Sequence, residues 1–207
     1  LSVTGSPDKE LTNYQVTKNT RFNLVFNGEI YNYQKLATKY LKTENLTTKT
    51  DAEVLINLYE KLSPEKIASE LNGMYAYCAY DRKKQKIYIS RDLIGEKVLY
   101  KYEDDDHILF ASETSTLLNF AGQYNLNIET IYQYFYSRHL LASHYTEFQQ
   151  IQVFPVGKTI EISLQDSAVK NLHEKTLKDL ISKKHFNRLS MMDESEIIDE
   201  FDSICRK

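Results

Sequence analysis

The apolar positions of this chain change period several times, and each change marks an element. Phe22-Asn23-Leu24-Val25-Phe26 is a short apolar run that reads as a buried strand, ended by the turn pair Asn27-Gly28. A helix is predicted over residues 31–41. A second starts at Asp51, where Val54, Leu55, Leu58 and Leu62 recur at helical spacing. Pro64 opens a third, short helix at a first-turn position that suits proline. The texture changes at Gly73: residues 74–80 and 86–90 read as aromatic-rich strands joined by a polar turn. Further strands are predicted over 98–100, 108–111, 151–154 and 159–162, and helices over 114–120 and 128–136. Residues 1–19 are polar and lack a clean period.

From about residue 167 the chain becomes charged and strand signals stop. Asp193 with Glu196 three residues on makes a capping-box start. Ile197, Ile198, Phe201, Ile204 and Cys205 then form an apolar stripe, with Arg206 and Lys207 where a helix C-terminus favours positive charge. The pattern is that of an α+β body with a helical C-terminal tail.

Composition narrows the function classes. The 207 residues suit one domain or slightly more, and 42% hydrophobic residues suffice for a core without staples. Lys plus Arg is 26 against 29 for Asp plus Glu, so there is no electrostatic footprint for nucleic acid and no polybasic membrane surface. No apolar run approaches the roughly 20 residues of a membrane span. Two cysteines exclude a disulfide framework and fit a reducing, cytoplasmic setting. Sixteen tyrosines without a tryptophan read as half-buried sheet surface, since no basic stripe accompanies them to make a stacking platform. The five histidines show no metal-ligand spacing, and residues 103–106 read as a solvated hairpin turn rather than a calcium loop. The chain begins at Leu1 rather than Met, which leaves a fragment, a processed product and the ordered part of something longer as open readings.

The strongest chemical signal is Phe26-Asn27-Gly28-Glu29-Ile30-Tyr31-Asn32-Tyr33. An amide side chain beside a backbone N–H supplies two donors for an oxyanion, and Glu29 adds a carboxylate suited to an ammonium group. A plain turn with Glu29 in the first turn of a helix is the alternative reading of the same residues. Further blocks follow: Thr48-Lys49-Thr50-Asp51-Ala52-Glu53, Leu71-Asn72-Gly73-Met74-Tyr75-Ala76, Ser90-Arg91-Asp92-Leu93-Ile94-Gly95-Glu96-Lys97-Val98-Leu99-Tyr100, Leu109-Phe110-Ala111-Ser112-Glu113 and Pro155-Val156-Gly157.

In this order and spacing the blocks resemble the glutamine-hydrolysing domain of asparagine synthetases, a class II glutamine amidotransferase. The resemblance runs from Leu1 to about Leu164 and resumes near Asp193. It implies the four-layer α-β-β-α sandwich of the N-terminal-nucleophile hydrolases over residues 1–166. Residues 167–207 would form a linker and the first helix of a following synthetase-type domain. By similarity, Asn27 and Gly28 form the oxyanion hole, Glu29 and Asp51 hold the α-ammonium of glutamine, and Val3 lines the glutamine pocket through its backbone. The family's nucleophilic cysteine and carboxylate-binding arginine align before Leu1, and neither Cys78 nor Cys205 is expected to replace the former. Proline is common in the family where Val98 stands, and lysine where Thr114 stands. Arg91 and Asp92 are expected to be an ion pair bracing a loop.

The implied partners are glutamine and a synthetase domain of the same polypeptide, with room for a homodimer. No cofactor is expected in this domain, while ATP and Mg2+ are expected in the synthetase domain, where ammonia would meet aspartyl-adenylate. A catalytically inactive scaffold module and an amidotransferase acting on a sugar or antibiotic precursor are the alternatives.

Overall fold

The computed structural model describes residues 16–19, 21–42, 46–138 and 144–206. The expectations for Leu1, Ser2 and Val3 lie outside them. The chain divides into two compact units, Leu1–Glu174 and Lys175–Lys207.

In the first unit, strands β1 (Val16–Lys18) and β2 (Phe22–Ile30) lead to helices α1 (Tyr33–Tyr40), α2 (Asp51–Leu58) and α3 (Pro64–Glu70). Strands β3 (Gly73–Asp81), β4 (Lys86–Arg91), β5 (Tyr100–Glu103) and β6 (Ile108–Ala111) follow, then helices α4 (Thr114–Ala121) and α5 (Ile128–Ser137). Strands β7 (Ile151–Val153), β8 (Lys158–Ser163) and β9 (Val169–Glu174) complete it. The strands form two antiparallel sheets, ordered β1-β2-β3-β4-β8-β9 and β6-β5-β7.

Three apolar clusters make the layers. Phe22, Leu24, Phe26 and Ile30 of β2 alternate onto one sheet face with Tyr75 and Tyr77, and pack against Leu36 of α1, Leu55 and Leu58 of α2 and Ile67 of α3. Ala76, Ile89, Ile160 and Ile162 face the other way, onto Leu99, Phe154 and the half-buried Phe110 of the second sheet. Tyr102 and Ile151 on that sheet's outer face meet Leu117 of α4. The order helix, sheet, sheet, helix is thus set by which face each alternation leaves apolar. Each fully buried Leu or Ile contributes about 1.5–3 kcal/mol. Thr50 and Ser63 cap α2 and α3 by accepting the N–H of Glu53 and Lys66, worth about 1 kcal/mol apiece.

Four local expectations need correction. First, β2 does not end at Asn27-Gly28. It runs on to Ile30, paired with β3 along its length, and Glu29 lies in the strand rather than in a helix. Gly28 makes this continuation feasible: its φ is +141°, and a Cβ there would lie 2.0 Å from the Met74 carbonyl oxygen. Second, β5 starts at Tyr100 rather than at 98, because the main chain of Lys97 is already bonded to Arg91 and Asp92. Third, β9 lies beyond the expected boundary at 166. It is a polar edge strand on β8 with little alternation to read, and it carries the body on to Glu174. Fourth, the tyrosines divide: Tyr75, Tyr77, Tyr88 and Tyr102 are buried on strands, whereas Tyr132, Tyr134 and Tyr136 on α5 are exposed.

The second unit holds a 3₁₀ turn (Leu177–Leu180) and helices α6 (Lys183–Leu189) and α7 (Glu194–Cys205). Asp193 accepts the Glu196 N–H at 2.9 Å and Glu196 accepts the Asp193 N–H at 3.1 Å, the capping box expected at the start of α7. The Ile197, Ile198, Phe201 and Ile204 stripe is exposed. Among the described residues no helix is long and apolar enough to cross a membrane.

Candidate active site

The site is built on the C-terminal half of β2. Strand alternation turns Phe26, Gly28 and Ile30 toward the helices and leaves Asn27 and Glu29 on the opposite face, with Cα atoms roughly 7 Å apart. The main chain of this half-strand has a second use. Tyr75, opposite Gly28, gives its carbonyl to the Asp92 N–H at 2.8 Å and its N–H to the Asp92 carboxylate at 3.3 Å. Its polar groups therefore point away from β2, and Gly28 with Tyr75 is a non-hydrogen-bonded pair. The N–H groups of Gly28 and Ile30 consequently point to the other edge of β2. There Asp51 takes the Ile30 N–H on Oδ2 at 3.0 Å, while its Oδ1 accepts the Ala52 N–H at 2.8 Å. Among the described residues, β1 pairs with Asn23 to Val25 along this edge. An amide side chain, the Gly28 N–H, the exposed Glu29 and the Asp51 carboxylate are thus gathered at one strand end.

Asn27 faces a cavity of about 420 Å³ between the two sheets, lined among others by Val25, Cys78, Ile89, Phe110 and Ser112. Its Nδ2 donates to the Ser112 Oγ at 3.2 Å, across 85 residues of sequence, while its buried Oδ1 has no partner among the described residues. Glu29 and Asp51 lie outside the cavity lining, so Asn27 is where cavity and acidic edge meet. The hydroxyl of Tyr31 is held above its ordinary pKa by its surroundings and by the charges of Glu96, Glu29 and Asp92.

The loops around the strand end are tightly wired. Asp92, 1% exposed, takes the N–H groups of Ile94, Gly95 and Glu96 on one oxygen and of Lys97 and Tyr75 on the other. Arg91 donates to the carbonyls of Lys97, Phe154 and Gly95, and burial lowers its pKa. Both residues brace the loop, but not as the ion pair expected: each bonds to main-chain groups rather than to the other. Val98, where the family commonly has proline, directly follows this braced segment. On the other side, Glu53 accepts the N–H groups of Thr47, Thr48 and Lys49 and the Thr48 hydroxyl, holding Lys49 at a φ of +54°. Burial alone would raise the Glu53 pKa, but these hydrogen bonds outweigh it and leave it lowered.

Cys78 lines the same cavity as Asn27, half-buried on β3, and burial pushes its thiol up to about 11. The thiol is therefore protonated at neutral pH. Cys205 is exposed on α7. The sequence reading placed Asn27, Gly28, Glu29 and Asp51 together, and the structure brings all four to one place. It gave no role to Ser112 or Glu53, although both lie inside the quoted blocks.

The helix, sheet, sheet, helix layering is the fold that the sequence resemblance implies. Residues 10–173 match the family described as "Glutamine amidotransferase domain", and the chain belongs to that family. It is 41% identical over 116 residues to a putative glutamine-hydrolysing asparagine synthetase 2 of Methanocaldococcus jannaschii, covering 54% of this chain and 22% of that protein. It is 38% identical over 96 residues to asparagine synthetase B of Escherichia coli, covering 46% and 17%. The chain spans about a fifth of the length of the curated relatives it matches. Among solved structures, the glutamine phosphoribosylpyrophosphate amidotransferase of Bacillus subtilis matches with a TM-score of 0.52 at 17% identity, covering 79% of this chain and 32% of that one. That likeness supports the N-terminal-nucleophile hydrolase type of fold.

Proposed function

We propose that this domain binds L-glutamine at the end of β2 and hydrolyses its side-chain amide, as the glutaminase part of an ATP-dependent, asparagine synthetase-like enzyme. One observation carries the reading. Blocks far apart in sequence converge on Asn27-Gly28-Glu29 through hydrogen bonds: Ile30 to Asp51, Asn27 to Ser112, Tyr75 to Asp92, and the Gly157 N–H to the Asp92 carbonyl.

In this reading an N-terminal cysteine of the full-length protein attacks the amide carbon, its α-amino group taking the thiol proton. The carbonyl oxygen gains the negative charge. Asn27 Nδ2 and the Gly28 N–H donate to it, each donor worth about 100- to 1,000-fold in rate. Collapse expels ammonia and leaves a thioester, which water cleaves to glutamate. Glu29 and Asp51 hold the substrate ammonium, and the negative surroundings of Tyr31 favour that charge. Ammonia then passes to aspartyl-adenylate in a synthetase domain of the same polypeptide, which holds ATP and Mg2+. Residues 167–207 would lead into that domain. The setting is cytoplasmic.

Calorimetry on the full-length natural protein tests the binding half. Glu29→Gln is expected to weaken glutamine binding at least about tenfold, and to leave binding of glutaramate, which lacks the α-ammonium, unchanged. Equal glutamine affinity in both proteins would remove Glu29 from the site. Binding without ammonia release would identify a non-catalytic module.

A further inference from the structure

We infer that Ser112 is a positioning residue that sets the Asn27 amide for the reaction; this rests on Asn27 acting as the oxyanion donor. The terminal torsion of an asparagine is broad, so a strand position alone does not aim its N–H groups. Two observations show what does. Among the described residues the buried Asn27 Oδ1 has no partner, so none of them orients the amide through its acceptor. The Nδ2 is bonded to the Ser112 Oγ at 3.2 Å.

An amide nitrogen carries two hydrogens. Ser112 takes one, which fixes the plane and leaves the second for the cavity that both residues line. The serine comes from the other sheet, just beyond β6 and ahead of α4. The donor is therefore held from across the inter-sheet gap, while the Gly28 N–H is held by its own strand. An orphaned buried acceptor is costly, about 1–3 kcal/mol. Its persistence at this point fits an amide oriented for an incoming group rather than for its own satisfaction.

The test is steady-state glutamine hydrolysis by the full-length natural protein, with Asn27→Ala, Ser112→Ala, Ser112→Thr and the Asn27→Ala/Ser112→Ala double variant. Ser112→Ala is expected to lower kcat about tenfold or more with KM within about twofold, because the donor acts on charge present only in the transition state. Ser112→Thr keeps the hydroxyl and is expected to restore most of kcat. Because Ser112 acts through Asn27, the double variant should be no slower than Asn27→Ala. Where Ser112→Ala does not fold, Ser112→Cys, of similar volume with a weaker acceptor, carries the same expectation.

An unchanged kcat in Ser112→Ala, or a loss that multiplies fully with that of Asn27→Ala, overturns the inference. If Asn27→Ala loses rate and Ser112→Ala does not, only Ser112 is excluded. If Asn27→Ala is itself as fast as wild type, or wild type releases no ammonia, the oxyanion reading fails and the role of Ser112 with it.

Discussion

Asn27 and Gly28 do different work on adjacent positions of one strand. Asn27 offers its side chain to the cavity, whereas Gly28 offers its main chain and tolerates no side chain at all. With a φ of +141° and the Met74 carbonyl oxygen 2.0 Å from where a Cβ would stand, Gly28→Ala is expected to destabilise the whole body. The measurement is the thermal midpoint, which should drop by several degrees or give way to insoluble protein; an unchanged midpoint would refute the packing account. Iodoacetamide at neutral pH should alkylate exposed Cys205 first and Cys78 only slowly, as peptide mass mapping over time will show, since burial keeps the Cys78 thiol protonated. Rapid labelling of Cys78 would reopen it as a nucleophile. Asn27, Gly28 and Glu29 were legible from sequence because they crowd into one short block, and Asp51 because it stands in a second. Ser112 was not, because its meaning lies in a contact with a residue 85 positions away.

At the scale of elements, the loop ahead of α2 depends on Glu53. Its folded pKa is lowered, so its contribution is fully present above the ordinary glutamate value near 4.3 and is lost as pH falls through the folded value. Glu53→Gln should therefore lower the thermal midpoint at pH 7, and the gap to wild type should close on acidification below about pH 4. A gap independent of pH would mean that the carboxylate charge is irrelevant. β9 gives a second element-scale expectation. It pairs with β8 and Leu172 packs on the main core, so a chain ending at Glu174 should be more stable than one ending at Asp166. Equal midpoints would show β9 to be dispensable. Most elements were readable from period and punctuation. Those missed failed for physical reasons: β9 is a polar edge without alternation, α6 is short and charged, and β2 passes through a residue pair that usually turns.

At the scale of the molecule, the four layers place one strand end, one cavity and two braced loops together, which no single block specifies. The family match covers 10–173 and ends one residue short of the boundary of the first unit. The second unit carries an exposed apolar stripe on α7. The central claim is that the amide and main-chain donors at the end of β2 stabilise the charge formed when glutamine is hydrolysed. Ammonia release from L-glutamine by the full-length natural protein, measured for wild type and Asn27→Ala at saturating substrate, tests it most directly. The account predicts turnover by wild type and a loss of about 100- to 1,000-fold in kcat for the variant, with KM nearly unchanged. Equal rates in the two proteins, or no ammonia from wild type, would contradict it.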